Sequence, residues 1–294
     1  MASPSGPIAV VDSGLGGLTV AAALRRALPA EDLVYFGDTA HLPYGNKSAD
    51  TVFGFIRQII RFLLPMRPKH LVIACNTATA LALPAVTQEF PGLSVSGVID
   101  PGARAAVAAA GSRQVPVIGV IATEATVRSK AYGRAILRRR SMAQVLLRAT
   151  PLLVPMIEEG RNSEDPLLDM ALRQYLKGML AHRLDVLVLG CTHYPLIQRA
   201  IARVTGPKVK LIDSAQQCAQ DVVQRLRRKQ LLRLPALVGA SEAGGSFRGY
   251  VTDDPARFAA LATRFLQTRV DPPVLVEPGR LHMPDSAAVL RATA

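Results

Sequence analysis

Two short stretches constrain this chain more than any others: Leu71-Val-Ile-Ala-Cys-Asn-Thr77 and Leu187-Val-Leu-Gly-Cys-Thr-His193. Each is an apolar run of the length of a buried parallel strand. Each stops at a cysteine followed by two small or hydrogen-bonding residues. In open α/β sheets, ligands gather outside the carboxyl ends of the strands. Two strand ends that each deliver a thiol predict a cleft with Cys75 on one side and Cys191 on the other. Such a pair suits the removal and return of a proton.

The rest of the chain reads as two similar lobes. Ile8 to Val11 is a strand, Asp12-Ser-Gly-Leu-Gly-Gly17 a glycine turn, and Leu18 to Leu28 a helix stopped at Pro29. A second strand, Leu33 to Phe36, leads to the turn Gly37-Asp-Thr-Ala-His-Leu-Pro-Tyr-Gly45. A helix capped by Ser48 runs to Leu64. The helix after Cys75 is expected to kink or break at Pro84. Ser94 to Ile99 is a further strand, and Asp100-Pro-Gly102 marks a boundary. A second series then starts at Pro116 to Ile121, and its Ala122-Thr123 occupies the place of Asp12-Ser13. Leu152 to Gly160 reads as this lobe's next strand, ending at Glu158 and Glu159. Lys208 to Ile212 is a strand leading back into the first lobe, completed by the helix Ala215 to Leu232, Phe247 to Asp253, and a last helix from Pro255 to Gln267. The expected architecture is α/β, with two lobes related by a pseudo-twofold. Each is a mainly parallel sheet flanked by helices, and the active site lies in the cleft between them. The lobes are 7–99 plus 211–267, and 100–210. Residues 1–6 and 271–294 are expected to be peripheral tails.

Composition narrows the function. The chain carries 35 Lys and Arg against 22 Asp and Glu, a formal charge of +13. Its densest basic clusters, Arg138-Arg-Arg140 and Arg225-Leu-Arg-Arg-Lys229, lie in helix-like stretches without the interleaved aromatics of a strand-stacking platform. Nucleic-acid binding is therefore not expected, and the basic excess reads as a solvated surface or a field that attracts anions. No stretch predicts a membrane span, and Met1 to Pro7 lacks the pattern of a signal peptide. Three cysteines do not make a disulfide framework, so reduced thiols and a cytoplasmic location are expected.

The glycine turn after the first strand invites a dinucleotide reading, but Thr19 holds the place of the third glycine and Asp12 would repel a pyrophosphate. Helix N-terminal amides with Ser13 suit a small carboxylate instead. Cys75 and Cys191 sit at strand-to-helix turns, where a thiol pKa can be lowered. His193 lies two residues beyond Cys191, Glu158 could orient it, and Asp12 could reach Cys75 or a substrate amine. Ser13, Asn76, Thr77, Thr123 and Thr192 could hold carboxylates. Three readings compete with proton transfer: a zinc site of Cys75, Cys191 and His193, which lacks the usual tight ligand pairs; a Cys–His nucleophile for amide hydrolysis, which leaves the second thiol unused; and a two-lobed binder of an acidic metabolite without turnover. Cys218, in a helical run without polar companions, is expected to pack in the core.

With these motifs in place, the chain resembles the glutamate racemases of the cofactor-independent aspartate/glutamate racemase superfamily. The resemblance runs in order through Asp12 to Gly17, Gly37 to Gly45, Ala74 to Thr77, Gly119 to Thr123, Val154 to Glu158, Gly190 to Pro195, Leu211 to Ser214 and Tyr250 to Asp253. It implies interconversion of L- and D-glutamate without cofactor or metal, supplying bacterial peptidoglycan synthesis. It implies that Cys75 and Cys191 are the catalytic acid/bases, supported by Asp12, Glu158 and His193. Asp12-Ser13, Tyr44-Gly45, Asn76-Thr77 and Thr192-His193 match the family's substrate-binding pairs, and Thr123 and Thr126 lie in another substrate-contacting stretch. The resemblance also implies a homodimer of variable arrangement. An interaction with DNA gyrase follows only by family analogy. His41 stands where many members carry arginine, and Thr150 where cysteine is common.

Overall fold

The apolar runs form strands buried on both faces, and the amphipathic runs form the helices that cover them. The computed structural model describes residues 3–233 and 244–282. Strand and helix alternate from the start: β1 (Ile8–Asp12), α1 (Leu18–Ala27), β2 (Leu33–Gly37), α2 (Ala49–Leu63), β3 (His70–Ile73), α3 (Asn76–Glu89), β4 (Val95–Gly97) and α4 (Ile99–Ala109). The second series is β5 (Val117–Ala122), α5 (Glu124–Arg128), α6 (Ala131–Leu137), β6 (Gln144–Ala149), α7 (Leu153–Glu158), α8 (Pro166–Leu180), β7 (Val186–Gly190), α9 (Gln198–Thr205), β8 (Lys210–Asp213) and α10 (Ser214–Arg228). The described chain closes with β9 (Phe247–Val251), α11 (Pro255–Leu266) and β10 (Val274–Leu275).

Two sheets result, ordered β10-β9-β2-β1-β3-β4 and β6-β5-β7-β8. Every pairing in both is parallel. The second sheet repeats the order β2-β1-β3-β4 of the first, so the lobes are copies of one βα plan. Of the corresponding strands, β3 ends at Ile73, one residue short of Cys75, and β7 ends at Gly190, directly before Cys191. The lobes exchange a helix each. Helix α4 leaves the first sheet, but its Ile99, Ala103 and Ala106 pack with Ile118, Val120, Val186 and Val188 of the second. Helix α10 leaves the second sheet, but its Ala215, Ala219, Val222 and Leu226 pack with Ile8, Val10 and Leu18 of the first. Cys218 is buried in that same core, and burial pushes its thiol up to about 12.

Local rules account for the helix starts. Ser48 accepts from the Thr51 amide at the head of α2, a cap worth about 1 kcal/mol. Four expectations need correction. Leu152 to Gly160 is not a strand but the turn and short helix α7; Pro155 sits in its first turn, where no N–H is needed. The strand is β6, an edge strand whose leucines are only half buried and whose Gln144 and Arg148 are exposed, so its apolar signal is diluted. Helix α3 continues through Pro84, because Ala78, Ala82 and Val86 on either side of the proline are buried in the first-lobe core. The second sheet reaches Asp213 rather than residue 210, since β8 pairs with β7. The stretch after 271 is not wholly peripheral: β10 pairs with β9, and Val276 and Leu281 are buried. Residues 283–294 lie outside the described residues. At the other terminus the fully buried Lys69 ion-pairs with buried Glu31 and donates to the Pro4 carbonyl at 2.6 Å, which docks residues 3–6. Among the described residues no helix is long and apolar enough to cross a membrane.

His70 opens β3 at the end of the sheet remote from the cysteines. Its ring is buried between the hydroxyls of Ser94 at 2.9 Å and Ser96 at 2.8 Å. Burial, with Arg225 and Lys229 nearby, lowers its pKa from 6.5 to about 4. The unfolded state therefore binds the extra proton first, and stability falls as pH drops from about 6.5 towards 4. That shift corresponds to a loss of roughly 3 kcal/mol. In His70→Gln, urea midpoints should lose this part of their dependence on pH between 7 and 4, while the wild type shows it.

Candidate active site

The duplicated topology brings both thiols to one place. Cys75 follows β3 as the N-cap of α3, and its Sγ accepts from the Ala78 amide at 3.5 Å. Ser13 Oγ, on the turn after β1, donates to the same sulfur at 3.4 Å. Cys191 follows Gly190, where a Cβ would lie 2.7 Å from the Ile121 carbonyl; glycine lets β7 pass close to β5 just before the thiol. Both cysteines are 6% exposed, and both line one cavity of about 380 Å³ between the lobes.

The two sides differ in charge. Burial and then the neighbouring Asp12 push the Cys75 thiol up to about 12, against the hydrogen bonds from Ser13 and Ala78. Asp12 is itself fully buried, and burial raises its pKa although the Gly17 amide, His193 and the Gly14 amide pull the other way. On the Cys191 side, His193 Nδ1 lies 3.7 Å from Sγ, and Nε2 lies 3.1 Å from Glu158 Oε1. Burial opposes a charge on His193, but the interactions with Cys191 and Glu158 override it and hold the imidazolium to about 10. Glu158 is correspondingly lowered, chiefly by its hydrogen bond with His193. One thiol thus sits beside a carboxyl, the other beside an imidazolium.

Around the thiols stand hydroxyls and amides from both lobes. Thr77 Oγ1 is 2.8 Å from Thr123 Oγ1 and 3.3 Å from Thr126 Oγ1, and the latter two are 3.0 Å apart. Tyr132 of the second lobe donates to Asn76 Oδ1 at 2.8 Å, while Asn76 Nδ2 is buried with no partner. Tyr44 and Gly45 reach the cavity on a loop pinned by Asp38, whose carboxylate accepts from Tyr44 Oη at 2.5 Å and Thr252 Oγ1 at 3.0 Å. His41 Nδ1 lies 2.8 Å from the same carboxylate, and its ring stacks on Phe55.

Of the residues expected at the site, Cys75, Cys191, Glu158, His193, Ser13, Tyr44, Gly45, Asn76, Thr77, Thr123 and Thr192 line the cavity. Asp12 and Thr126 do not; Asp12 lies behind the wall with its charge near Cys75, and Thr126 hydrogen-bonds Thr77 and Thr123. Glu158 ends a helix rather than a strand. Leu42, Glu124, Thr150 and Val154 also line the cavity without having been singled out for it. Leu42 and Val154 lie within the motifs quoted above, and Thr150 stands where relatives often have cysteine; its Oγ1 lies 2.5 Å from Tyr194 Oη.

The Asp/Glu/hydantoin racemase family model matches residues 17–222, a span containing both cysteines and His193. The chain belongs to this family. It is an amino-acid racemase, an isomerase in which the two-sheet plan carries the site. It is 46% identical over 259 residues to a glutamate racemase of Geobacter metallireducens, covering 88% of this chain and 92% of the relative. Among solved structures, it is similar to the Francisella tularensis glutamate racemase in complex with D-glutamate, with a TM-score of 0.83, 35% identity, and coverage of 93% of this chain and 98% of the other. It is also similar to the Thermus thermophilus glutamate racemase in complex with β-chloro-D-alanine, with a TM-score of 0.81, 41% identity, and coverage of 94% and 99%.

The racemase site gives a direct electrostatic prediction. Folding raises the His193 pKa, so the stability it contributes is complete below about 6.5 and is lost as pH climbs through about 10. Glu158→Gln should move the His193 titration down from about 10 and remove much of the alkaline loss. NMR of the imidazole Cε1–H signals reads the first effect, and urea midpoints between pH 7 and 10.5 read the second.

Proposed function

We propose that this racemase interconverts L- and D-glutamate with two thiols, without cofactor. The observation that carries the reading is the delivery of Cys75 and Cys191 to one cavity by corresponding strands of the two lobes. In one direction the Cys75 thiolate takes the α-proton and becomes a thiol. The electron pair left on the α-carbon is delocalised into the α-carboxylate. The Cys191 thiol then gives its proton to the opposite face and is left as a thiolate. The reverse reaction exchanges the roles, as the equal energies of the enantiomers require.

The surroundings fit these roles. The hydroxyls of Ser13, Thr77, Thr123 and Thr192, with the unpartnered Asn76 Nδ2, are donors for the two carboxylates, whose developing charge they would stabilise. Protonated His193 is a donor at both nitrogens, one towards Cys191 and one towards Glu158. The Cys75 side has no cation of its own within this set, and the substrate ammonium would bring one. Proton uptake by Asp12 would relieve the repulsion that pushes Cys75 up. Glutamate as substrate is supported by the relatives named above. On the resemblance, the enzyme works as a dimer in the bacterial cytoplasm and supplies D-glutamate for peptidoglycan synthesis.

In deuterated water, D- and L-glutamate offered separately should each give inverted product carrying solvent deuterium at the α-carbon, while unreacted substrate keeps its proton. Proton NMR with a chiral assay reads both. Cys75→Ala and Cys191→Ala should each lower racemisation by roughly 10²- to 10⁴-fold with glutamate binding retained by calorimetry. Turnover of aspartate instead of glutamate would overturn the substrate assignment and leave the mechanism. Full activity in either alanine variant would overturn the two-thiol mechanism.

A further inference from the structure

The two acid/bases are not assembled alike. Both hydrogen bonds to the Cys75 sulfur come from its own lobe, from Ser13 Oγ and the Ala78 amide, with the Asp12 charge behind them. The Cys191 unit belongs to the second lobe but is braced by the first. Thr19 Oγ1, on α1, donates to the Thr192 carbonyl at 3.0 Å as well as to the Gly16 carbonyl at 2.9 Å. Gly16 lies so near that a Cβ there would be 2.4 Å from Thr192 Oγ1 and 2.6 Å from His193 Nδ1. Across the cleft edge, Arg257 of α11 donates from Nη2 to the Glu158 carbonyl at 3.0 Å. That carbonyl is at the C-terminal end of α7, where peptide oxygens lack helical partners and a cation is favoured. Arg257 also helps keep the Glu158 carboxylate ionised.

We propose that Thr19 and Arg257 are positioning residues for the Cys191–His193–Glu158 unit, so that the second acid/base is in register only while the first lobe is docked against it. Thr19 fixes the backbone beside Cys191, and Arg257 fixes the helix end that aims Glu158 at His193. Among the described residues, the hydrogen bonds to the Cys75 sulfur come from neither of them. Opening of the lobes along this edge therefore disables Cys191 before Cys75. The proposal rests on the two-thiol reading.

The test uses Thr19→Val, Arg257→Gln, Arg257→Lys and, as the reference for handedness, Cys191→Ser. Equal energies of the enantiomers force kcat/KM to fall equally in both directions, so the informative readout is the primary isotope effect with α-deuterated D- and L-glutamate. Weakening Cys191 makes its proton transfer limiting. The isotope effect should then rise for the enantiomer that Cys191 deprotonates and fall for the other. Thr19→Val and Arg257→Gln should each lower kcat roughly five- to tenfold, with isotope effects skewed in the same sense as Cys191→Ser, and Arg257→Lys should recover part of the loss. Wild-type isotope effects in both variants, or a loss without skew, would overturn the proposal. Arg257 is exposed, so its variants test the idea even if Thr19→Val folds poorly. If Cys191→Ser itself shows no skew, the two-thiol reading fails and takes the proposal with it; skew in Cys191→Ser alone rejects the proposal and spares that reading.

Discussion

The exchange of helices between lobes is the constraint on which the site depends. Parallel strands place all their carboxyl ends at one edge of a sheet, so each lobe has a single reactive edge. Two independent lobes could turn those edges anywhere. Because α4 packs on the second sheet and α10 on the first, each lobe completes the other's core. Burying a leucine, isoleucine or valine side chain stabilises by about 1.5–3 kcal/mol, and Ile99, Val222 and Leu226 stabilise the pairing of lobes rather than either lobe alone. The cysteines face one cavity because those two helices cross.

Within that frame the duplication is geometric, not chemical. Asp12 of the first lobe corresponds to Ala122 of the second, and the polar pair after Cys75, Asn76-Thr77, corresponds to Thr192-His193. The sequence thus breaks the symmetry at the positions that set charge. A carboxyl stands near one thiol and an imidazolium near the other.

Much of this was legible in the sequence, for a physical reason. Strands buried on both faces are continuous apolar runs, and β1, β2, β3, β5 and β7 stand out as such, with the cysteines at two of their ends. Edge strand β6 does not, because none of its residues is fully buried, and the apolar stretch after it gives the stronger strand signal. Asp271 to His282 likewise looks like tail by its prolines, yet a two-residue pairing with β9 and the burial of Val276 and Leu281 hold it. At the site, residues adjacent to the thiols or on glycine turns carried a local signal. Thr19 and Arg257 carried no signal of their contacts, since these arise from the docking of lobes across 173 and 99 residues, and no local pattern encodes that.

Three of the hydroxyls at the cavity are paired with one another. Thr77, Thr123 and Thr126 form a triangle of hydroxyls within 3.3 Å, so three donors wait near the thiols without three unsatisfied groups, which would each cost about 1–3 kcal/mol. A hydroxyl rotates freely and can turn its proton outward, so a carboxylate can replace the mutual bonds at little net cost. The triangle has one corner in the first lobe and two in the second. The Thr77 bonds to Thr123 and Thr126 therefore join the two lobes at the cleft, as the Arg257 bond to the Glu158 carbonyl does elsewhere. Any ligand that bonds both lobes more strongly when they are docked favours the docked arrangement by that difference in affinity.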